Sequence, residues 1–337
     1  PHCSVRRQRQ MCIRDRRTLH HQNDFADSMK SILAVFLSAL LLAPMGALAE
    51  TGTIWLDARG QQDAGTFGGL TLPMGNGTAD STTSADYVDL PNIVEVYTAT
   101  WCVNCVTSEE AMSEAVQDAD AVLIHYHRVW IEPEDPFGSD STEERWVEHY
   151  GESSKSVAGE ERIAPSLVVD GQRLHTGSRA KGVSLVDDYS QSLQVGNRAW
   201  FTGGTIDFSV SFTDNGTSFS WNFDNLDFSC ADDCPTQTTT PWILFVEDSA
   251  NFEDGSNNLE DYLHVNHAAN RLSGTNGTVI LDVPETWDGE DMKAVLLIDW
   301  EIEKEGGNSF HDSLPGVGIA TLLSLLAATP LVRSRYQ

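Results

Sequence analysis

Val94-Glu95-Val96-Tyr97-Thr98-Ala99-Thr100-Trp101-Cys102-Val103-Asn104-Cys105 is the stretch on which the reading of this chain turns. Its first part extends Ile93 into a β-branched run suited to a buried strand. Beyond the second cysteine, Ala111, Met112, Ala115 and Val116 recur at spacings of three and four, which predicts a helix over Val106 to Asp118. The two cysteines therefore fall where a strand turns into a helix. A thiol at that position faces unpaired backbone N–H groups and the positive end of the helix dipole. Both favour the thiolate, the nucleophile of disulfide exchange. A second cysteine three residues on can attack the mixed disulfide and release the substrate. Trp101 would shield the flank of the pair.

The pattern continues outward in the same alternation. Ala121-Val122-Leu123-Ile124 predicts a second buried strand, residues 132–140 a Pro- and Asp-rich loop, and Thr142 to Tyr150 a helix. Ser166-Leu167-Val168-Val169, closed by Asp170-Gly171, predicts a third strand, and Val183 to Leu193 a last helix. The order β-α-β-α-β-α over residues 91–196 is that of an α/β layered domain. With its Trp-Cys-x-x-Cys at the first β-to-α turn, the segment resembles the active-site region of thioredoxin-fold proteins. That fold also carries a proline, usually cis, just before the strand beside the cysteines. Arg162-Ile163-Ala164-Pro165-Ser166-Leu167 matches that segment, so the resemblance implies that Pro165 is cis and positions substrate. It implies further that Cys102 attacks and Cys105 resolves. Val103-Asn104 stands where typical thioredoxins have Gly-Pro, and Val96 where they have a buried aspartate. Strand alternation points the neighbouring Glu95 to the opposite face.

After about residue 196 the period changes to two. Ile206, Phe208, Val210 and Phe212 alternate with polar residues, as do Phe219, Trp221 and Phe223 beyond Asn215-Gly216, and this predicts a hairpin. Trp242 to Val246, Val279 to Leu281 and Ala294 to Ile298 add strands, so residues 197–302 read as an all-β sandwich domain. His264 to Leu272 reads as a short helix or crossover. In the preceding segment, residues 50–90, Thr53 to Asp57 reads as a short strand and Gly60 to Ala85 as loop or weak hairpins. The order of Val122 to His127, Asp135-Pro136-Phe137, Pro165 to Gly171 and Trp287-Asp288-Gly289 is similar to a secreted thioredoxin-like family of unknown function with a β-rich C-terminal domain.

The two ends read as targeting segments. Residues 1–28 lack any apolar period and read as non-native upstream sequence. Residues 29–49 have the parts of a signal peptide: Lys30, an apolar run from Ile32 to Ala43, and Ala47-Leu48-Ala49 before the cleavage point. Residues 303–314 form a spacer. Residues 315–332 form an uncharged, mostly apolar run long enough to span a bilayer, followed by Arg333 and Arg335, which places the body outside the membrane. Leu314-Pro315-Gly316-Val317 and this tail are similar to archaeosortase sorting signals.

The chain has 337 residues, 40% of them hydrophobic, and a formal net charge of −29. Only three of its 50 acids precede residue 50, whereas seven of its 21 basic residues do, so the body is more acidic than the total suggests. Such a surface repels nucleic acid, which excludes it as a partner. Cys230 and Cys234 are expected to form a local structural disulfide, in keeping with export. The expected activity is thiol–disulfide exchange with a protein or small thiol substrate at the cell surface, and it needs no cofactor. The alternative is a non-enzymatic surface protein in which the pair is a static disulfide, or a copper-binding protein with His125 or His127 as third ligand.

Overall fold

The computed structural model describes residues 53–60, 63–75, 79–131, 135–196, 200–229 and 235–302. The chain divides after Thr53, and the unit beginning at Ile54 holds every described strand and helix. Its strands are β1 (Leu56–Asp57), β2 (Ala64–Pro73), β3 (Ser81–Asp86), β4 (Asn92–Thr98), β5 (Ala121–His127), β6 (Ser166–Val169), β7 (Arg173–Thr176), β8 (Phe201–Gly203), β9 (Thr205–Thr213), β10 (Gly216–Asn222), β11 (Asp227–Phe228), β12 (Gln237–Asn251), β13 (Asp261–Arg271), β14 (Asn276–Leu281) and β15 (Met292–Ile302). Its helices are α1 (Val103–Ala115), α2 (Asp140–Trp146), α3 (Glu152–Ala158) and α4 (Leu185–Gln194), with one wider π-type turn, Val147–Gly151, joining α2 to α3. The unit is thus mostly β-sheet with few helices.

One nine-stranded sheet runs β1-β7-β6-β4-β5-β13-β12-β15-β2, and a four-stranded sheet runs β14-β10-β9-β3. A short pair, β8 and β11, stands apart. β4 and β5 are parallel, as the α1 crossover between them requires. On its other side β5 meets β13, also in parallel, through Val265 and His125. The sheet therefore continues from the segment before residue 196 into the segment after it.

Alternation along β4 sorts the core. Val94 and Val96 face α1 and α4, where they meet Met112, Ala115, Tyr189 and Leu193. Ile93 and Tyr97 face the other way, toward Trp146 and Tyr150, together with Leu244 of β12 and Val295 and Leu297 of β15. Tyr97 stacks on Trp146 with ring centroids 4.7 Å apart. Phe67, Phe245 and Leu296 of the large sheet pack on Phe208, Phe219 and Trp221 of the small one.

Two sequence expectations change. Gly60 to Ala85, expected as loop or weak hairpins, contains the ten-residue β2, an edge strand of the large sheet, and most of β3, an edge strand of the small one. The glycines of β2 are not turn residues. A Cβ at Gly68 would lie 2.6 Å from the Leu296 carbonyl oxygen, and one at Gly69 would lie 2.8 Å from Ile93. Gly enables close strand approach here as well as turns, and composition does not separate the two uses. His264 to Leu272, expected as a short helix or crossover, lies in β13 up to Arg271, paired along its length with β12 and at Val265 with β5. The other hairpin expectation is met at Asn215, where Thr213 pairs with Gly216. Among the described residues no helix is long and apolar enough to cross a membrane. The expected signal peptide, spacer and membrane segment, and Cys230 and Cys234, lie outside the described residues.

The face that carries Tyr97 also buries charge. The Tyr126 and Tyr150 hydroxyls donate to Glu95 at 2.5 and 2.6 Å. Arg145 lies between Glu95, at 3.4 Å, and Asp299, at 2.7 Å, with its guanidinium 4.6 Å from the Trp242 ring centroid. Asp299 also takes hydrogen bonds from Thr66 and Arg59. Burial opposes ionisation of Asp299, but Arg145, His149 and Arg59 outweigh it and hold its pKa well below the ordinary value. This ion pair straddles the line between the two segments, because Arg145 precedes residue 196 and Asp299 follows it. Replacing Arg145 by methionine leaves two buried carboxylates short of their cation and is expected to cost about 3–5 kcal/mol in urea unfolding at pH 7. Because the folded pKa of Asp299 is depressed, its contribution is complete above the unfolded pKa, about 4, and is lost as pH falls below that. The Arg145→Met protein should therefore lose stability less steeply below pH 4 than the wild type does.

Candidate functional site

Cys102 and Cys105 are joined in a disulfide, with Cα atoms 5.3 Å apart. The local chain explains their position. β4 ends at Thr98, the Cys102 N–H donates to the Ala99 carbonyl at 3.0 Å to close a turn, and Cys102 becomes the residue that caps α1. No acidic side chain lies in the first turn of α1, so the positive end of the helix dipole is not offset there. Cys102 keeps 6% of its surface exposed and Cys105 none. Between them Val103, 57% exposed, and the exposed Asn104 give the rim of the pair one apolar and one polar side chain.

The other residues expected at the site are brought to it in part. The Ala164-Pro165 peptide is cis, and Ala164 packs on the cluster formed by Ala99, Cys102 and Cys105. Pro165 itself is buried, and its carbonyl takes the Gly177 N–H at 2.8 Å. Trp101 is half-buried beside the same cluster, with the Arg128 guanidinium 5.3 Å from its ring centroid. His127 faces Asp135, with Nδ1 3.2 Å from Oδ2. His125 points elsewhere and packs edge-on against His264 at 5.6 Å. Burial, and then His264 and His127, push its pKa well below the usual histidine value, so it is neutral at pH 7. Among the described residues no three His, Cys, Asp or Glu side chains are grouped so as to hold a metal ion.

Two features of the surroundings escaped the sequence reading. Glu109 lies one helical turn after Cys105 and accepts a short hydrogen bond from the Thr98 hydroxyl. Burial raises its pKa, and the Thr98 bond and His127 only partly offset this. The i, i+4 spacing from Cys105 was readable as one helix face. Partial burial at that position was not, because it depends on Thr98 of β4 and His127 of β5. The second feature is Asp135. Burial works against its charge, but His127 and the N–H groups of Thr100 and Phe137 hold its pKa below the ordinary value. Its Oδ2 accepts the Thr100 N–H at 2.7 Å, two residues before Cys102.

No family model matches the chain, and no curated protein matches it. Among solved structures, the crystal structure of a protein from Agrobacterium tumefaciens aligns with 64% of this chain and 96% of its own, at 14% identity and a TM-score of 0.36. HBP35 of Porphyromonas gingivalis aligns with 64% of this chain and 65% of its own, at 15% identity and a TM-score of 0.31. Alignments this loose assign no activity.

Glu109 yields a pH prediction. Its folded pKa lies above the unfolded value, so the fold favours the protonated carboxyl. The stabilising part is present at low pH and is lost as pH rises through the folded pKa. Glu109→Gln mimics the protonated form. Its melting temperature should exceed that of the wild type at pH 7 and converge on it at pH 4 in a calorimetric series. A Glu109→Gln protein that melts lower than the wild type at pH 7 would show that the charged carboxylate is the favoured form.

Proposed function

We propose that this chain is a thioredoxin-like thiol–disulfide oxidoreductase that works outside the cell, tethered to the membrane through residues 315–332. The observation that carries the reading is the Cys102–Cys105 disulfide at the start of α1, with Ala164 and its cis proline packed against it. The export signal of residues 29–49, the apolar tail and the arginines after it support the location.

The difference in exposure supports the division of roles. Reduced Cys102, the one with residual surface, attacks a sulfur of a substrate disulfide. One substrate thiolate leaves and a mixed disulfide forms. The Cys105 thiolate then attacks Cys102 Sγ, the second substrate thiolate leaves, and the Cys102–Cys105 bond is restored. Two electrons pass to the substrate, whose two thiolates take up protons. The same steps in reverse oxidise a dithiol. Unpaired N–H groups at the helix start stabilise the Cys102 thiolate both as attacking and as leaving group. Ala164, packed beside the pair and followed by the cis proline, has the place from which a backbone could hold a bound thiol substrate.

A second reading is favoured by burial: with 6% and 0% exposure the pair could serve as a fixed crosslink in a surface module. Thiol chemistry separates the two. Under the redox reading, dithiothreitol reduces the folded protein, and the reduced form reacts with an aromatic disulfide reagent. Cys102→Ser removes that reactivity, and Cys105→Ser accumulates the mixed disulfide, visible by mass spectrometry. A disulfide that dithiothreitol leaves intact until the protein unfolds would decide for the crosslink.

A further inference from the structure

The turn that joins β12 to β13 reaches back onto the loop that carries the cysteines. It is closed by the Phe252 N–H donating to the Glu260 carbonyl at 2.7 Å. From it the N–H groups of Ser256 and Asn257 both donate to the Thr100 carbonyl, at 3.0 and 3.2 Å. The Asn257 side chain, 3% exposed, places Nδ2 3.5 Å from the Ala99 carbonyl. Its Oδ1 accepts the Tyr262 hydroxyl at 2.8 Å and the Leu259 N–H at 3.1 Å. The Ala99 carbonyl is the group that also takes the Cys102 N–H. The fit admits no larger residue at 255: a Cβ on Gly255 would lie 2.0 Å from the Tyr262 hydroxyl oxygen and 3.2 Å from the Thr100 carbonyl oxygen. On its other side the Thr100 peptide is held by Asp135 through the Thr100 N–H. Phe137, Ala250, Tyr262 and Val265, with Phe252 and Leu259 against them, form the apolar base under both supports.

We propose that this turn positions the redox loop, with Asn257 and Tyr262 as positioning residues, and that the C-terminal β-rich segment thereby tunes the Cys102–Cys105 couple. The inference rests on the redox reading of that pair. A peptide gripped at both its N–H and its C=O has little freedom, and Cys102 follows it by two residues. Holding Cys102 in the register that meets Cys105 raises the effective concentration of one thiol at the other and favours the disulfide over the dithiol. Loosening the turn removes part of that advantage.

The test uses the full chain in Asn257→Ala and Tyr262→Phe forms, the second being nearly isosteric and so insured against misfolding. Asn251→Ala serves as a control on the same hairpin, where Nδ2 binds only the exposed Asp261 at 2.9 Å. Two quantities are measured: amide hydrogen exchange at Thr100 and Cys102, and the disulfide–dithiol equilibrium against glutathione. In both variants the two amides should exchange about tenfold faster than in the wild type, and the equilibrium should move about tenfold toward the dithiol, or about 30 mV for a two-electron couple. The control should move neither quantity. Unchanged exchange at Thr100 and Cys102 overturns the positioning role. Faster exchange with an unchanged equilibrium overturns the tuning. A wild-type disulfide that neither glutathione nor dithiothreitol reduces in the folded protein sinks the redox reading and the tuning together, while the exchange data still decide whether the turn holds the loop.

Discussion

The parallel pairing of β5 with β13 is the contact on which the rest of the molecule depends. β5 carries Tyr126 and His127 into the interior and would otherwise end the sheet with an unpaired edge. Val265 of β13 meets His125 there and continues the ladder. Through β13 come β12, β15 and β2, and with them the surface on which the small sheet packs. The same pairing sets the β12–β13 turn over the Ala99-Thr100 peptide. A single strand register thus links the β-rich later part of the unit to the loop in front of the cysteines.

Buried charge follows the same seam. Glu95 on β4, Arg145 on α2 and Asp299 on β15 come from three distant parts of the chain and neutralise one another in the interior. Such a cluster adds little net stability compared with apolar packing, but it penalises any arrangement that leaves one member alone. Two tyrosines, a threonine, a second arginine and His149 add to its hydrogen bonding, so the charges are paired and their lone pairs used. The physical effect is to specify how the two segments share one sheet.

At the cysteines the two residues differ slightly in exposure. Cys102 caps the helix start with 6% of its surface exposed, while Cys105, three residues on, is fully buried. Under the proposed activity the positive end of the helix dipole favours the thiolate at Cys102. Glu109 and the His127–Asp135 pair place ionisable groups beside the loop: burial raises the pKa of Glu109, while His127 and the N–H groups of Thr100 and Phe137 hold that of Asp135 below the ordinary value.

By itself the sequence determined the elements whose signals are local. The strand at Ile93 to Tyr97, the helix after Cys105, the hairpin at Asn215 and the proline before Ser166 were readable because periodicity, turn residues and short motifs are properties of neighbouring positions. The strand alternation that turned Glu95 away from Val96 was readable for the same reason, although its partners were not. Only the tertiary structure decided that Gly60 to Ala85 holds a strand, that His264 lies in one, that both segments form a common sheet, and that Asn257 grips the peptide beside Thr100. Apart from the pairing of β13 with β12, whose partners lie 10–29 positions apart, those facts depend on contacts between residues more than a hundred positions apart. Such contacts are selected by the total burial and hydrogen bonding of the folded chain, and no window of sequence carries that sum.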